Sequence, residues 1–335
     1  MMRKTLALLA LPAALATATP AFATFPGRNG KLVFQRPAGE QMDLFTIRPE
    51  TSQAKRLIGG PTFDEKAEWS PDGRRIAFAR DDGSGFPAEI WTADASGRDV
   101  RRLTTWNNIA AAPTWTPDGR IVYFTTKDFP PQESPDDPLP PSELYSMAAD
   151  GGDQRRLTND EVIQVDPAVS PADGTVAHVA FQPVAGMPGV FDLGLFSIAA
   201  DGSGPRTLAP FSPERDVLNA SWSPNGKRIV IEIASARPRG DSGGSHRQSD
   251  LATINADGTG LRRLTRTRAL ETNPVWSPDG RLIAFTGDRH VKGGNRERWG
   301  PDFELYVMRA NGTGIRRLTH NSVPDLIPDW QAKPR

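Results

Sequence analysis

The stretch Asn273-Pro274-Val275-Trp276-Ser277-Pro278-Asp279-Gly280-Arg281-Leu282-Ile283-Ala284-Phe285 decides the fold of this protein. Its centre, Trp-Ser-Pro-Asp-Gly, predicts a type I turn, because proline fits the second position and glycine can adopt the positive φ that follows. The Ile-Ala-Phe run after the turn is typical of a β-strand. The stretch therefore predicts two antiparallel strands joined by a short loop.

The same pattern recurs along the chain at intervals of 46 to 54 residues. A bare copy, Asn29-Gly30-Lys31, comes first, a degenerate copy starts at Val169, and the other copies start at Trp69, Trp115, Trp222 and Trp276. In four copies a second apolar run, a glycine turn and a run ending in Arg-Arg-Leu-Thr complete the unit. Each unit thus holds four short strands, and units of this kind stack radially as the blades of a propeller.

The two ends of the repeat region complement each other. Leu326-Ile327-Pro328-Asp329-Trp330 matches the strand that precedes the turn in other copies, but no turn follows it. The first copy, at Asn29, lacks that same strand. The sequence therefore predicts an all-β, six-bladed β-propeller of four-stranded blades over residues 24–335, with the first blade closed by the C-terminal strand.

The composition agrees with a chain of short strands and turns. Proline and glycine number 31 each, about 19% of the chain against a usual ~12%, which argues against long helices. Basic and acidic residues balance at 40 each, so there is no electrostatic case for binding nucleic acid or an anionic membrane surface. We expect a monomer with no nucleic-acid partner and no membrane anchor.

Residues 1–23 have the layout of a cleavable signal peptide. A basic start is followed by an apolar run over 5–18 and by alanines at positions 21 and 23. We therefore predict cleavage after Ala23, a mature N-terminus at Thr24, and a secreted or periplasmic protein. The chain contains no cysteine, so disulfides and thiolate metal sites are excluded.

The Trp-Ser-Pro-Asp-Gly, Ile-Ala-Phe and Arg-Arg-Leu-Thr elements together resemble the repeats of the TolB-like, WD-related propeller family, over nearly all of residues 25–330. The resemblance implies a six-bladed β-propeller, an address outside the cytoplasm and, for many such proteins, binding of other proteins. TolB itself carries a separate N-terminal α/β domain. We expect this chain to lack that domain, because its repeats begin close to the predicted cleavage site.

Polar side chains stand before most of the blade tryptophans, where the innermost strands enter the propeller. The candidate residues are Asp166, Asn219 and Asn273, three positions before the tryptophan or its replacement, and Asp64, Glu271 and Asp325, two positions earlier. Converging carboxylate and amide oxygens suit hydrogen bonding to a polar ligand, and they also suit Ca²⁺. We predict a ligand site at this channel mouth, with Ca²⁺ at Asp166, Asn219 and Asn273 as the one cofactor suggested. The alternative is that these side chains only satisfy backbone groups at strand starts.

Long insertions fall on the face opposite the tight turns, and two of them, 236–250 and 287–303, are basic. Loops on a rigid scaffold commonly carry function, although tolerated surface loops also drift neutrally. The second set of candidate ligand-binding residues lies in these loops: Arg237, His246, Arg247, His290, Arg298 and Trp299.

These features favour a secreted or periplasmic module that binds a protein or a cell-envelope polymer through its long-loop face. The alternatives are a propeller hydrolase or lyase, with a metal or acid–base site at the channel mouth, and a structural envelope protein. Binding is favoured over catalysis because Gly240-Asp241-Ser242-Gly243-Gly244 matches Gly-x-Ser-x-Gly without the strand, turn and helix that this motif needs. The histidines are not at metal-ligand spacing, and we assign His178 to the core.

Overall fold

The computed structural model describes residues 22–51, 53–81, 87–106, 108–130, 140–160, 162–186, 190–235, 249–289 and 303–333. Within these residues the chain forms twenty-five β-strands and no helix. The all-β prediction is therefore confirmed. No apolar helix of membrane-spanning length occurs in the ranges given.

The strands follow one another closely along the chain. The first eight are β1 (Phe22–Ala23), β2 (Arg28–Ala38), β3 (Gln41–Ile47), β4 (Ala54–Ile58), β5 (Phe63–Trp69), β6 (Arg75–Asp81), β7 (Glu89–Asp94) and β8 (Arg101–Arg102). The next eight are β9 (Ala110–Trp115), β10 (Ile121–Thr125), β11 (Glu143–Met147), β12 (Arg155–Arg156), β13 (Ile163–Val169), β14 (Val176–Pro183), β15 (Phe191–Ile198) and β16 (Arg206–Ala209). The last nine are β17 (Arg215–Trp222), β18 (Arg228–Ser235), β19 (Ser249–Asn255), β20 (Arg262–Arg263), β21 (Glu271–Trp276), β22 (Leu282–Gly287), β23 (Glu304–Arg309), β24 (Arg316–Arg317) and β25 (Leu326–Lys333).

Hydrogen bonding groups the strands of the described ranges into five sheets, where the sequence predicted six separate blades. Three sheets have four strands in chain order, β9 to β12, β13 to β16 and β21 to β24. A fourth, β17 to β20, gains β1 as a parallel neighbour of β17. The remaining sheet has eight strands, because Met42 pairs in parallel with Phe63 and thereby joins β3 to β5. This pair and the addition of β1 to β17 are where the observed sheets depart from the predicted ones.

The chain closes on itself as predicted. β25 lies antiparallel to β2, with Leu32 opposite Trp330 and Arg28 opposite Lys333. The innermost strands β5, β9, β13, β17, β21 and β25 each contact the next, and β25 contacts β5. The sheets therefore stand around a common axis, and the fold is a β-propeller.

The Ser-Pro-Asp-Gly turns also form as predicted. The amide of Gly280 donates to the carbonyl of Ser277 at 2.8 Å, and Gly280 has a φ of 70°. Ser277 Oγ donates to Asp279 Oδ1 at 2.6 Å, which fixes the carboxylate over the turn. The tryptophan before each turn is buried, with at most 4% of its surface exposed. The hairpins thus place one large aromatic side chain between neighbouring inner strands.

The second arginine of each Arg-Arg-Leu-Thr run ties the two outer strands of its sheet together. Its partner is the acidic residue at the start of the neighbouring strand, in the pairs Arg102–Glu89 (2.9 Å), Arg156–Glu143 (2.8 Å), Arg263–Asp250 (3.2 Å) and Arg317–Glu304. The threonine of the run joins the same group, as where Thr158 Oγ1 donates to Glu143 Oε2 at 2.5 Å. The motif is therefore explained by packing inside each sheet.

The β13–β16 sheet replaces this ionic tie with aromatic packing. Gly194, Thr207 and Ala209 stand where the other sheets have the acid, the arginine and the threonine. The rings of Phe196 and Phe211 pack 5.1 Å apart in the same place. A Cβ at position 194 would lie 3.0 Å from both the Ala209 carbonyl oxygen and the Phe196 ring, so no acidic side chain fits there.

Candidate functional site

Each of the six innermost strands contains a left-handed residue at the same position. These residues, all with φ between 49° and 54°, are Lys66, Ala112, Asp166, Asn219, Asn273 and Ile327. The register with the second strand shifts at this point in every case, so each residue sits in a β-bulge. Left-handed backbone costs a non-glycine residue about 1–2 kcal/mol, and such strain persists where the fold or the function requires it. The predicted channel mouth therefore coincides with a strained position of every inner strand.

An ion pair joins two of these left-handed residues. Lys66 Nζ on β5 donates to Asp166 Oδ1 on β13 at 3.3 Å, across the intervening strand β9. The Asp166 side chain is buried, and its Oδ2 has no hydrogen-bond partner among the described residues. Burial raises the pKa of Asp166, while the Lys66 ammonium acts in the opposite direction. Lys66 stands three positions before Trp69, the repeat position that Asp166 also occupies. Its pairing with Asp166 was not predicted, because nothing local signals a partner 100 residues away.

A hydrogen-bond network joins the next two inner strands. Glu232 Oε2 on β18 accepts from Asn219 Nδ2 at 2.5 Å and from Thr272 Oγ1 at 2.5 Å. Asn219 Oδ1 and Asn273 Nδ2, both buried, have no partner among the described residues. The sequence signal for Glu232 is a lone acid within the apolar run Ile229-Val230-Ile231-Glu232-Ile233. Three neighbouring inner strands thus each carry a buried polar atom with no hydrogen-bond partner among the described residues.

The second predicted set of channel residues is engaged within the fold. Arg80 holds Asp64 with contacts of 2.5 and 3.0 Å, and Arg36 holds Asp325 with contacts of 2.5 and 2.8 Å. Arg289 pairs with Glu271 in the same way. The pKa values of Asp64 and Glu271 are raised, chiefly because these carboxylates are buried. These three acids are therefore ion-paired within the fold, although Glu271 Oε2 has no hydrogen-bond partner among the described residues.

The other candidate residues divide between the core and the undescribed loops. His178 is buried on β14, with its ring 6.2 Å from that of Phe196 and a pKa lowered to about 4 by burial. This agrees with its assignment to the core. The loop candidates lie outside the described residues, as does the Gly240–Gly244 motif. These candidates are Arg237, His246, Arg247, His290, Arg298 and Trp299.

Comparison with known proteins finds TolB proteins that are similar to this chain in sequence and in fold. A TolB homologue of Chlorobium luteolum is 32% identical over 149 residues, which are 44% of this chain and 29% of that protein. The crystal structure of TolB from Acinetobacter baumannii superposes with a TM-score of 0.67 at 20% identity, covering 92% of this chain and 67% of that one. This chain is similar to TolB proteins in sequence over part of its length and in fold over nearly all of it.

The likeness to curated TolB proteins is confined to part of their length. The Tol-Pal system protein TolB of Anaeromyxobacter dehalogenans is 30% identical over 134 residues, or 40% of this chain and 26% of that protein. The match thus spans less than a third of the curated relatives. An oligogalacturonate lyase solved with manganese has a TM-score of 0.57 at 16% identity, covering 91% of this chain and 78% of that one. No family model matches the sequence.

Binding of Ca²⁺ by the TolB-like propeller stays a prediction. The proposed donors are one carboxylate, Asp166, and two amides, Asn219 and Asn273, and the Lys66 ammonium already holds the carboxylate. In the parts of the chain that the structure describes, no group of three or more His, Cys, Asp or Glu side chains is placed to hold a metal ion. A calcium ion would therefore have to displace Lys66.

Calorimetry tests this prediction. If Ca²⁺ binds, titration of the wild type gives heat that Asp166→Ala/Asn273→Ala abolishes, and Lys66→Met binds more tightly because the competing ammonium is gone. Absence of both heat and a thermal shift in the wild type and in Lys66→Met would contradict the calcium site.

A second buried acid gives the TolB-like propeller a pH dependence. Asp329 Oδ2 on β25 accepts the backbone N–H of Trp69 at 2.7 Å. Burial raises the pKa of Asp329 to about 7, against the opposing effect of the backbone N–H groups of Trp69 and Trp330. The folded state therefore keeps a proton that the unfolded chain, with an ordinary aspartate pKa near 4, has lost. The contribution of Asp329 to stability falls as the pH rises from about 4 to about 7 and is constant above that.

We expect Asp329→Asn to raise the free energy of unfolding at pH 8 by on the order of 3 kcal/mol. The amide oxygen still accepts from Trp69, and the amide does not ionise. The gain should shrink towards zero at pH 4, as measured by urea unfolding at both pH values. Glu214→Gln, at an exposed carboxylate, is the control and should change neither value. Equal effects of Asp329→Asn at both pH values would show that Asp329 has no raised pKa.

Proposed function

We propose that this chain is a periplasmic or secreted binding propeller that takes a polar segment of a partner protein at the mouth of its central channel. The observation that carries the proposal is the set of buried polar atoms without partners, Asp166 Oδ2, Asn219 Oδ1 and Asn273 Nδ2, on the three consecutive strands β13, β17 and β21. Buried polar groups are nearly always hydrogen-bonded, so three orphans at one position of the repeat favour an external partner.

The chemistry of these atoms favours a ligand with both donors and acceptors. Asp166 and Asn219 offer acceptor oxygens, and Asn273 offers an N–H donor. A polypeptide backbone alternates N–H and C=O groups and can meet all three. The Lys66 side chain, 16% exposed, adds a cation beside them that suits an acidic side chain. The likeness to TolB proteins, some of which are named for the Tol-Pal system, supports a protein partner over other polar ligands.

We also infer that the propeller has six blades. Six inner strands carry the left-handed residue at the same position, and these six strands contact one another in a closed cycle. The eight-stranded sheet divides into two four-stranded halves, β25-β2-β3-β4 and β5-β6-β7-β8, and within the described residues the strand pairing between them is the single Met42–Phe63 pair. Counting those halves as separate blades gives six.

The proposed function is tested by selecting peptides that bind the protein and measuring their affinity for channel-mouth variants. A displayed library of random peptides is selected on the wild type, and the recovered peptides are titrated by calorimetry. We expect Asp166→Asn and Asn219→Ala/Asn273→Ala to weaken binding at least tenfold. Asn311→Ala, in an exposed turn, is the matched control and should bind as the wild type does. Peptides that bind all variants equally would contradict a channel-mouth site and leave the loop face as the binding surface.

A hydrolase or lyase remains the alternative. In its favour, Glu65 lies half-buried beside Lys66, and burial together with the nearby Asp81 charge raises its pKa to about 7, which suits general acid–base catalysis. The similarity to oligogalacturonate lyase is at 16% identity and concerns the fold alone. Turnover of oligogalacturonate that Glu65→Gln abolishes would support catalysis. The absence of turnover, together with channel-dependent peptide binding, would exclude it.

A further inference from the structure

An aromatic slot with a cation inside it lies where β10 and β11 leave the β9–β12 sheet. Three aromatic rings form it: Trp106, which precedes β9, Tyr123 on β10 and Tyr145 on β11. The Tyr123 ring centroid lies 5.9 Å from that of Trp106 and 6.2 Å from that of Tyr145. Lys127 Nζ lies 4.7 Å from the Trp106 ring centroid and 4.1 Å from that of Tyr145. Both distances are within the range of a cation–π contact.

The eight-stranded sheet contains two slots of the same kind, and they are filled differently. Arg80 lies 5.2 Å from the Phe78 ring centroid and 4.9 Å from that of Trp91, and it is anchored by two contacts to the buried Asp64. Arg36 lies over Phe34 and Phe45 and is anchored to Asp325 in the same way. In these two slots the cation is borne by a strand and neutralised by a carboxylate, so it is a fixed part of the fold.

The β9–β12 slot has no arginine at the position equivalent to Arg80. Arg80 pairs in register with Asp64 and Glu89, and the residue with the equivalent pairing, to Ala110 and Glu143, is Thr125. Neither member of the arginine–aspartate pair is therefore present. The cation in the slot is instead Lys127, which follows the strand and makes no ion pair within the described residues.

The slot itself is held rigidly, apart from the lysine. Tyr145 donates its hydroxyl to Asp128 Oδ2 at 2.6 Å, and that carboxylate lies 3.7 Å from Arg156 Nε. Asn108 Nδ2 donates to the Thr126 carbonyl at 2.9 Å and fixes the backbone beneath Lys127. The Tyr123 hydroxyl is buried without a hydrogen-bond partner among the described residues. The Tyr145 wall is thus preorganised, and moving the Lys127 side chain out of the slot would expose the ring faces that it covers.

We propose that this slot is a binding site for an organic quaternary ammonium group, of which the Lys127 ammonium is the resident stand-in. Aromatic faces bind N-methylated ammonium ions well, because these cations are large and lose little hydration on burial. Lys127 is strongly hydrated by comparison and makes no ion pair within the described residues, so a quaternary ammonium ligand can replace it. The slot lies beside the β10–β11 connection and the chain entering β9, at the channel-mouth end of the sheet, and does not depend on the channel site.

Choline chloride is the probe for calorimetry and tryptophan fluorescence. We expect Lys127→Ala to bind choline at least tenfold more tightly than the wild type, because the competing ammonium has gone. The additional change Trp106→Leu should reduce that affinity at least tenfold. The neutral isostere 3,3-dimethyl-1-butanol, which has the shape of choline without its charge, should not bind. Lys227→Ala, which removes an exposed lysine far along the chain, is the matched control and should behave as the wild type.

Two outcomes overturn the proposal. One is that neither Lys127→Ala nor the conservative Lys127→Gln binds choline while both melt as the wild type does. The other is that the neutral isostere binds as well as choline, or that Trp106→Leu leaves binding unchanged, because the slot would then act only as an apolar surface. Using two replacements at position 127 keeps the test decisive if one variant folds poorly.

Discussion

Removal of residues 323–335 is expected to unfold the protein. β25 supplies the innermost strand of the sheet that contains β2, and its loss exposes the edge of β2 from Arg28 to Gln35. It also removes Trp330, which is buried, and a buried aromatic side chain is worth about 3–5 kcal/mol by itself. Typical domains have only about 5–15 kcal/mol in total, so we expect an insoluble or molten product.

Contacts beyond the sheet strengthen this expectation. Gln331 Nε2 donates to the Gly73 carbonyl at 2.7 Å, and the Ile327 amide donates to Thr286 Oγ1 at 3.1 Å. β25 thus links the β5–β6 turn and β22 on either side of the closure. Circular dichroism and thermal melting of the truncated chain are the measurement, and a synthetic peptide of residues 323–335 added in trans should restore part of the folded signal. A truncated protein with the melting temperature of the full chain would refute closure by the last strand.

Arg36→Met is expected to destabilise the protein by about 3–5 kcal/mol, because it leaves the buried Asp325 carboxylate without its two-point partner. The paired replacement Arg36→Met/Asp325→Leu should recover most of that loss, since no uncompensated charge remains. Urea unfolding of the wild type, both single variants and the double variant gives the coupling free energy.

A second double-mutant cycle in the same sheet separates the effect of losing an ion pair from the effect of loosening the ring closure. Arg80 and Asp64 have the same geometry, with 16% and 0% side-chain exposure, but they join β5 and β6, which are consecutive in the chain. We expect Arg80→Met to cost a similar amount, while Arg36→Met also increases the rate of unfolding by loosening the junction of the termini. A loss below ~1 kcal/mol for both arginines would mean that these pairs act as ordinary surface ion pairs.

Much of the fold could be predicted from the sequence, because its information is local and repeated. The turn Ser277-Pro278-Asp279-Gly280 specifies its own backbone through proline and glycine, and each recurrence places another hairpin. The closure by Trp330 could be predicted from two incomplete repeats that complement each other. The burial of the repeat tryptophans and of His178 followed from the same pattern.

The site was only half predictable, because the partners come from distant parts of the chain. The repeat position predicted for the channel mouth is structurally equivalent from blade to blade, since Asp166, Asn219 and Asn273 all have the same left-handed backbone. The side chains that contact this set could not be predicted from the repeat. Lys66 reaches Asp166 from another sheet, and Glu232 reaches Thr272 across a sheet boundary. Asp64 looked like a channel residue but pairs with Arg80, because strand register sets them opposite each other.

The amino-acid sequence by itself thus determined the repeat, its turns and the strand that closes the ring, since short-range backbone preferences fix each of them. Only the tertiary structure decided which sheets merge, through the Met42–Phe63 pair, and which buried charges find a partner, as Asp166 does in Lys66. Those outcomes depend on how strands from different repeats are placed around the axis. That placement is a property of the packed ring, and no single repeat contains it.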